Sequence, residues 1–190
     1  MATYQGDVMT TFVNRMVLSA KLNAAIYEEV EADRTALPQA MGVVILSSVA
    51  AGIGSLQLQP TGFGGLFIGT VSALLSWVVW AGLTYFIGTR IMPEPQTRSD
   101  YGELLRTIGF ASSPGILRIL GIVPGLMGIV FIASGIWMLA AMVIAVRQAL
   151  DYHSTWRAVG VCSIGWLVQA IIFSLIFAMN GASVPETPAG

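Results

Sequence analysis

Apolar residues fall in five long blocks along this chain, separated by short polar or turn-forming links. A helix needs about 20 mostly apolar residues to cross a bilayer. Four of the blocks predict such helices: "MGVVILSSVAAGIGSLQL" (41–58), "GLFIGTVSALLSWVVWAGLTYFIGTRI" (65–91), "LMGIVFIASGIWMLAAMVIAV" (126–146) and "AVGVCSIGWLVQAIIFSLIFAM" (158–179). Pro38 stands where it can start the first of them, and Pro93 and Pro95 break the chain after the second. The remaining block, "YGELLRTIGFASSPGILRIL" (101–120), is less clean, because it carries Glu103, Arg106, Arg118 and a central Pro114. Read as a span over 103–120, it would be about 27 Å long at 1.5 Å per residue, just enough for the hydrocarbon core.

Charge decides whether that block crosses. Positive residues gather on the cytosolic side of short loops. With five crossings, eight of the nine Lys and Arg share one side: Arg15, Lys21, Arg34, Arg90, Arg98, Arg106, Arg147 and Arg157. Only Arg118 approaches the other side. The expectation is an all-α integral membrane protein with five transmembrane helices over 38–180, its N-terminus in the cytosol and its C-terminus outside. Pro114 removes the hydrogen bond to the Phe110 carbonyl, which predicts a kink near 111–113, with Ser112 or Ser113 satisfying the freed oxygen. Pro114 is therefore the expected hinge.

Before the first span, Met9, Phe12, Val13, Met16, Ala20, Tyr27 and Val30 form a weak helical stripe, covering about a third of the wheel at 100° per residue. Arg15, Lys21, Glu28 and Glu29 lie largely away from it. Residues 1–37 are expected to form an amphipathic helix, either lying on the cytosolic leaflet or packed on the inner ends of the spans. The acidic run Glu28, Glu29, Glu31 and Asp33 ahead of the first span does not fit a cleavable signal. The tail "GASVPETPAG" (181–190) is small and polar, and is expected to be disordered.

Composition agrees with a lipid environment. The 190 residues are 55% hydrophobic and only 10% charged, with mean hydropathy +0.77, against about 25% charged in soluble domains. Net charge −1 excludes a basic nucleic-acid binder. The single cysteine, Cys162, has no internal disulfide partner and reads as a small core residue. No metal-ligand or phosphate-binding motif appears, and no nucleophile, base or paired carboxylates are set out for catalysis. The expectation is no catalytic residue, no metal and no cofactor.

Polar groups inside spans are where function is sought first. Arg106 lies three residues after Glu103 on one helical face, so a local pair at the cytosolic mouth is expected. Arg118 falls in the last turn of its span, where it could reach headgroups or contact a lipid phosphate. Gln169 is the deepest polar side chain and suits a helix–helix hydrogen bond. Arg147 and Asp151 are spaced as an i, i+4 pair. His153, the one histidine, sits in a polar link; solvent exposure is expected, and an axial ligand to haem or pigment is the competing role. Small residues at i, i+4, such as Ser48 with Gly52, Ala50 with Gly54 and Gly65 with Gly69, let helices approach closely.

Three stretches carry a family likeness: "YEEVEADRTALPQAMGVVILSSVAAGIG" (27–54), "YGELLRTIGFASSPGILRILGIVPG" (101–125) and "MVIAVRQALDYHSTWRAVGVCSIGWLV" (142–168). Together they resemble the Yip family, the Ypt/Rab-interacting membrane proteins, in its prokaryotic form. The resemblance covers about residues 12–180 and implies five spans with a cytosolic N-terminus, in a bacterial cytoplasmic membrane. It implies binding rather than a reaction; eukaryotic members are implied in vesicle trafficking and small-GTPase binding, through an N-terminal region longer than the 37 residues here. The leading reading is a non-enzymatic scaffold or accessory subunit, with membrane lipids and other integral subunits, or a second copy, as partners. A small transporter or channel for an apolar or lipid substrate, using a cavity near Gln169, Ser134 and Pro114, is the alternative. A pigment- or haem-binding subunit using His153 is the third.

Overall fold

A computed structural model describes residues 2–56 and 62–181, with side chains described from residue 11 onward except 173 and 176–181. The expected disordered tail lies outside the described residues, apart from Gly181. The described chain is all-helical: α1 (Ala2–Ala20), α2 (Ala24–Ala32), α3 (Leu37–Gly54), α4 (Gly62–Phe86), α5 (Tyr101–Ala111), α6 (Met127–Ala149) and α7 (Thr155–Gly181). Four segments are long and apolar enough to cross a membrane: Arg34–Gly54, Gly62–Ile91, Met127–Ala149 and Thr155–Ile172. They coincide with the four uninterrupted apolar blocks of the sequence.

The block at 101–120 folds differently from a single α-helix. Asp100 opens α5 with a capping box, in which its carboxylate accepts from Glu103 N and the Glu103 carboxylate accepts from Asp100 N, each at 2.8 Å. This satisfies two of the amides that a helix start leaves free. The α-helix stops at Ala111, and residues Ser113–Ile122 continue as a 3-10 helix. Pro114 lacks the amide that would reach Phe110, and the Ser113 hydroxyl donates to the Phe110 carbonyl at 2.7 Å. Ten residues of 3-10 helix is unusually long, and its packing explains it.

A row of close approaches runs the whole length of α3. A Cβ on Gly109 would press on Ala40, one on Gly115 would overlap Ser47 Oγ, and one on Gly54 would overlap the Arg118 carbonyl. Gly121 meets the Gly54 carbonyl oxygen, 2.9 Å from where its own Cβ would stand. On α3 the contact positions 40, 47 and 54 recur every seven residues, or about 10.5 Å of α-helix. On the partner they fall at 109, 115 and 121, six apart. Six residues of 3-10 helix are two whole turns and about 12 Å. Three residues per turn therefore keep Gly115, Arg118 and Gly121 on one face, where 3.6 per turn would rotate them away. The contacts rise in the same order along both chains, so α5 and its 3-10 continuation run parallel to α3 from end to end. Leu117, Ile119, Leu120 and Ile122 occupy the other faces and are exposed.

The remaining helices close around this pair. α4 is tied to α5 by Trp77 Nε1 donating to the Leu105 carbonyl (3.1 Å) and Tyr101 OH donating to the Val78 carbonyl (2.7 Å). Its last turn, Ile87–Ile91, widens to a π-helix, and Tyr152 OH donates to the Gly88 and Met92 carbonyls there. Trp80 packs on Gly165, joining α4 to α7. Cys162 is buried, in keeping with a small core residue.

The N-terminal segment is two helices rather than one. Leu22 adopts a left-handed conformation (φ 61°) and Asn23 caps α2, accepting from Ala25 N at 3.0 Å. Ile26, Tyr27 and Val30 of α2 are buried against α5 and α6. In α1 the order is partly reversed: Arg15 and Ser19 are buried, while Val13 and Val17 are exposed. Arg15 turns inward because three acceptors await it, Glu29 and Asp33 at 2.9 Å and Gln39 at 3.0 Å. The apolar edge Val13–Val17 is thereby left facing outward.

Candidate functional site

Arg118 owes its place to the 3-10 helix, whose inward face presents it between Gly115 and Gly121. Its Nε donates to Ser134 Oγ at 3.2 Å, and its guanidinium carbon lies 5.6 Å from the centre of the Phe131 ring, a cation–π distance. Among the described residues no carboxylate lies within ion-pair distance of it. The side chain is thus half-buried inside the bundle, held by α6, instead of extending beyond the end of its helix.

Arg118 lines a cavity of about 540 Å³ bounded by α3, α4, α5, α6 and α7. Ser47, Ser48, Ser76, Ser112 and Gln169 supply hydroxyl and amide groups, and Trp77, Trp80, Trp166, Met138 and Met142 supply apolar wall. The lining holds no acidic residue. A second cavity of about 380 Å³ shares Ser48, Ala73 and Arg118 with the first and continues past Gly52, Ser55, Gly65 and Gly69. Ser48 Oγ donates to Thr70 Oγ1 at 3.2 Å and so braces α3 on α4 between the two. The Trp80 indole nitrogen is buried without a hydrogen-bond partner among the described residues. This is an amphiphilic chamber with donors and one positive charge, a size range typical of small-ligand sites.

Of the residues singled out in the sequence, Arg118 and Gln169 come together here, with Ser134 on the guanidinium. Pro114 is buried just beside it in the α-to-3-10 transition. The helix–helix hydrogen bond expected of Gln169 is not formed among the described residues; its amide lines the cavity instead.

Arg106 and Glu103 do not join this site, and they do not pair with each other. Glu103 is committed to the cap of α5. Arg106, only 5% exposed, sends Nε to the Val30 carbonyl (3.0 Å) and the Glu31 carbonyl (3.1 Å), with Nη2 also on Glu31 O. A positive group on the last carbonyls of α2 satisfies acceptors that a helix end leaves open. Arg106 is a buried clamp on the N-terminal segment.

At the same end, a polar hollow is lined by Glu28, Glu31, Glu103, Asp151, Arg147 and His153 among others. Burial pushes the Glu31 carboxyl up to about 8, helped by the carboxylates of Glu103, Asp151 and Glu28 and opposed by Arg106. The expected Arg147–Asp151 pair is absent because α6 ends at Ala149 and Asp151 takes φ 53°; Arg147 donates to the Tyr152 carbonyl at 3.2 Å instead. His153 has a highly exposed side chain, 3.6 Å from Glu94 and 2.5 Å from the Gln96 amide. It sits in a hydrogen-bonded clasp between two links, and no group of three metal-ligating residues forms among the described residues.

The signal that would have found Arg118's surroundings was present as spacing. Glycines six apart at 109, 115 and 121 face small residues seven apart at 40, 47 and 54, and the 3-10 helix is what matches the 115–121 step to 47–54.

Fold and site together define a helical integral membrane protein in which Arg118 lines a cavity whose other polar groups, among the described residues, are neutral. The chain belongs to the Yip1 domain family, whose model matches residues 24–177, a family of generally non-enzymatic membrane proteins. No curated protein and no solved structure matches it.

Proposed function

We propose that this chain is a five-crossing Yip-type membrane protein that organises the membrane by binding rather than by chemistry, holding an amphiphile in the chamber around Arg118 and Gln169. The fifth crossing is the 101–122 segment. This count is supported by the parallel seam with α3: a segment that keeps contact from Ala40 to Gly54 extends as far as α3 itself. At about 1.5 Å per α-helical and 2.0 Å per 3-10 residue, its length is about 36 Å, more than the hydrocarbon core requires. The distribution of Lys and Arg supports a cytosolic N-terminus in a bacterial cytoplasmic membrane, with α1 and α2 docked on that side. Val13 and Val17 then face the headgroup layer.

The observation that carries the binding role is the preformed chamber, lined mostly by apolar side chains with a few hydroxyl and amide groups and one guanidinium. Further partners, whether other integral subunits or a second copy, would dock on the exposed apolar faces of α4 and α6.

Native mass measurement of the full chain, extracted in mild detergent and supplied with a defined glycerolipid, tests the reading. One retained lipid per chain is expected, and Ser112→Trp, which fills the chamber, is expected to abolish it. A chain that retains no lipid, or whose retention Ser112→Trp leaves intact, contradicts the proposal. Transport of the amphiphile is the second reading, favoured by Gln169 lining the same chamber; Gln169→Leu with unchanged flux would remove it.

A further inference from the structure

We infer that the ligand of the chamber is a phospholipid whose anionic phosphate is held by Arg118, and that it reaches the chamber along the glycine face of α4. The inference rests on the reading of the chamber as an amphiphile site and adds the chemistry of the headgroup and its route.

The donor inventory carries the first half. Arg118 spends one of its five N–H groups on Ser134 and lies against Phe131. Its remaining donors have no carboxylate within reach among the described residues, in a protein whose other buried arginines, Arg15 and Arg106, are each held by three or more hydrogen bonds. A guanidinium in an apolar setting without a counter-charge is costly, and a phosphate oxyanion is the group its planar fork fits best. The rest of the polar lining, Ser47, Ser48, Ser76, Ser112 and Gln169, adds no negative charge; Ser48 and Ser112 spend their hydroxyl protons on Thr70 Oγ1 and the Ile108 carbonyl, while Ser47, Ser76 and Gln169 carry further donor groups. A cationic or carboxylate-seeking ligand finds nothing there. Free phosphate would match the guanidinium, but most of the lining residues are apolar, tryptophan and methionine prominent among them, which an acyl-bearing molecule covers and an inorganic ion does not.

The second half comes from the second cavity. It leads from Ser55, Gly65 and Leu66, at the end of α3 and the start of α4, to Arg118. A Cβ at Gly69 would meet nothing within 4 Å, so the small residues of α4 keep this groove open rather than pack a neighbour. The i, i+4 pair Gly65–Gly69, which in sequence reads as a helix-packing device, is here the floor of a passage. Phe63, Phe67 and Ile68, on other faces of the same helix, are exposed.

The full-length chain in detergent is titrated separately with dioleoyl phosphatidylglycerol, dioleoylglycerol and inorganic phosphate, with bound species counted by native mass. Phosphatidylglycerol is expected to bind at one per chain at least ~10-fold tighter than dioleoylglycerol, and Arg118→Gln is expected to erase that difference by weakening phosphatidylglycerol alone; ~10-fold is the modest end for a charge-assisted contact. Arg118→Lys should restore part of the preference, which separates loss of charge from loss of fold. Gly69→Leu, placed in open space, should weaken both lipids while leaving the melting temperature in place. Equal binding of the two lipids, or an unaltered preference in Arg118→Gln, overturns the phosphate assignment while leaving the amphiphile reading standing. Competition by millimolar inorganic phosphate overturns the lipid source in favour of a free anion. Failure of both lipids to bind overturns the amphiphile reading itself, and full binding by Gly69→Leu overturns the route.

Discussion

Gly115→Leu is expected to lower the stability of the bundle by about 3 kcal/mol, the upper part of the range for overpacking a filled core. The glycine faces Ser47 Oγ and the Met138 sulphur, and a Cβ there would already overlap the serine. No rotamer of leucine escapes, because α3 lies on one side and α6 on the other. The 3-10 segment has to lift off α3, and Gly54 and Gly121 lose their contact with it. Thermal unfolding in detergent should shift downward by about 6–12 °C on the scale for chains of this size. Gly69→Leu is the matched control, the same side chain added to the same fold in open space, and it should leave the transition unmoved. Equal shifts for the two substitutions would show that Gly115 is tolerated as a surface glycine and that the seam does not hold the structure.

Arg106→Met should detach α2 while leaving the spans folded. Methionine keeps most of the apolar stem but donates nothing to the Val30 and Glu31 carbonyls, which then stand buried without partners. Hydrogen bonds from a charged donor contribute about 1.5–3 kcal/mol each, and unsatisfied buried acceptors cost a comparable amount. A loss of about 3 kcal/mol in the docking of α2 raises amide exchange there by about two orders of magnitude. Hydrogen exchange resolved by peptide reads this directly: protection should fall over Ala24–Ala32 and stay unchanged over Met127–Ala149. Arg106→Lys, with a single point charge in place of the fork, should recover only part of it. Unchanged protection of α2 in Arg106→Met would mean that its buried face, Ile26, Tyr27 and Val30, suffices to hold it.

These two positions also mark how far the sequence could be read. The four plain spans were legible because hydropathy in a window of that length depends on local composition alone. The 101–120 block was legible as a bent apolar helix, since Pro114 and the adjacent serines state their hydrogen-bond problem locally. Its 3-10 form was not legible. That conformation follows from matching glycines to α3, nearly 70 residues away, at a spacing that looks irregular until the partner helix is known. Glu103 read locally as a pair with Arg106 at i, i+3; in the fold it closes a capping box with Asp100 instead, because the amides at a helix start have no other acceptor. Arg106 was then free to find carbonyls 75 residues earlier in the chain, which no local pattern announces. Gln169 and Arg118 each stood out as polar groups in apolar runs, but their common chamber is a product of tertiary packing.

The account turns on whether the 101–122 segment crosses the membrane alongside α3. Single cysteines at Ser99, before α5, and at Val123, after the 3-10 helix, decide it in a Cys162→Ala background labelled with a membrane-impermeant thiol reagent in sealed vesicles. A crossing segment places the two sites on opposite sides of the membrane, so each labels from a different side. Labelling of both from the same side would contradict the crossing, leaving four crossings and a 101–122 segment that enters and leaves by one face.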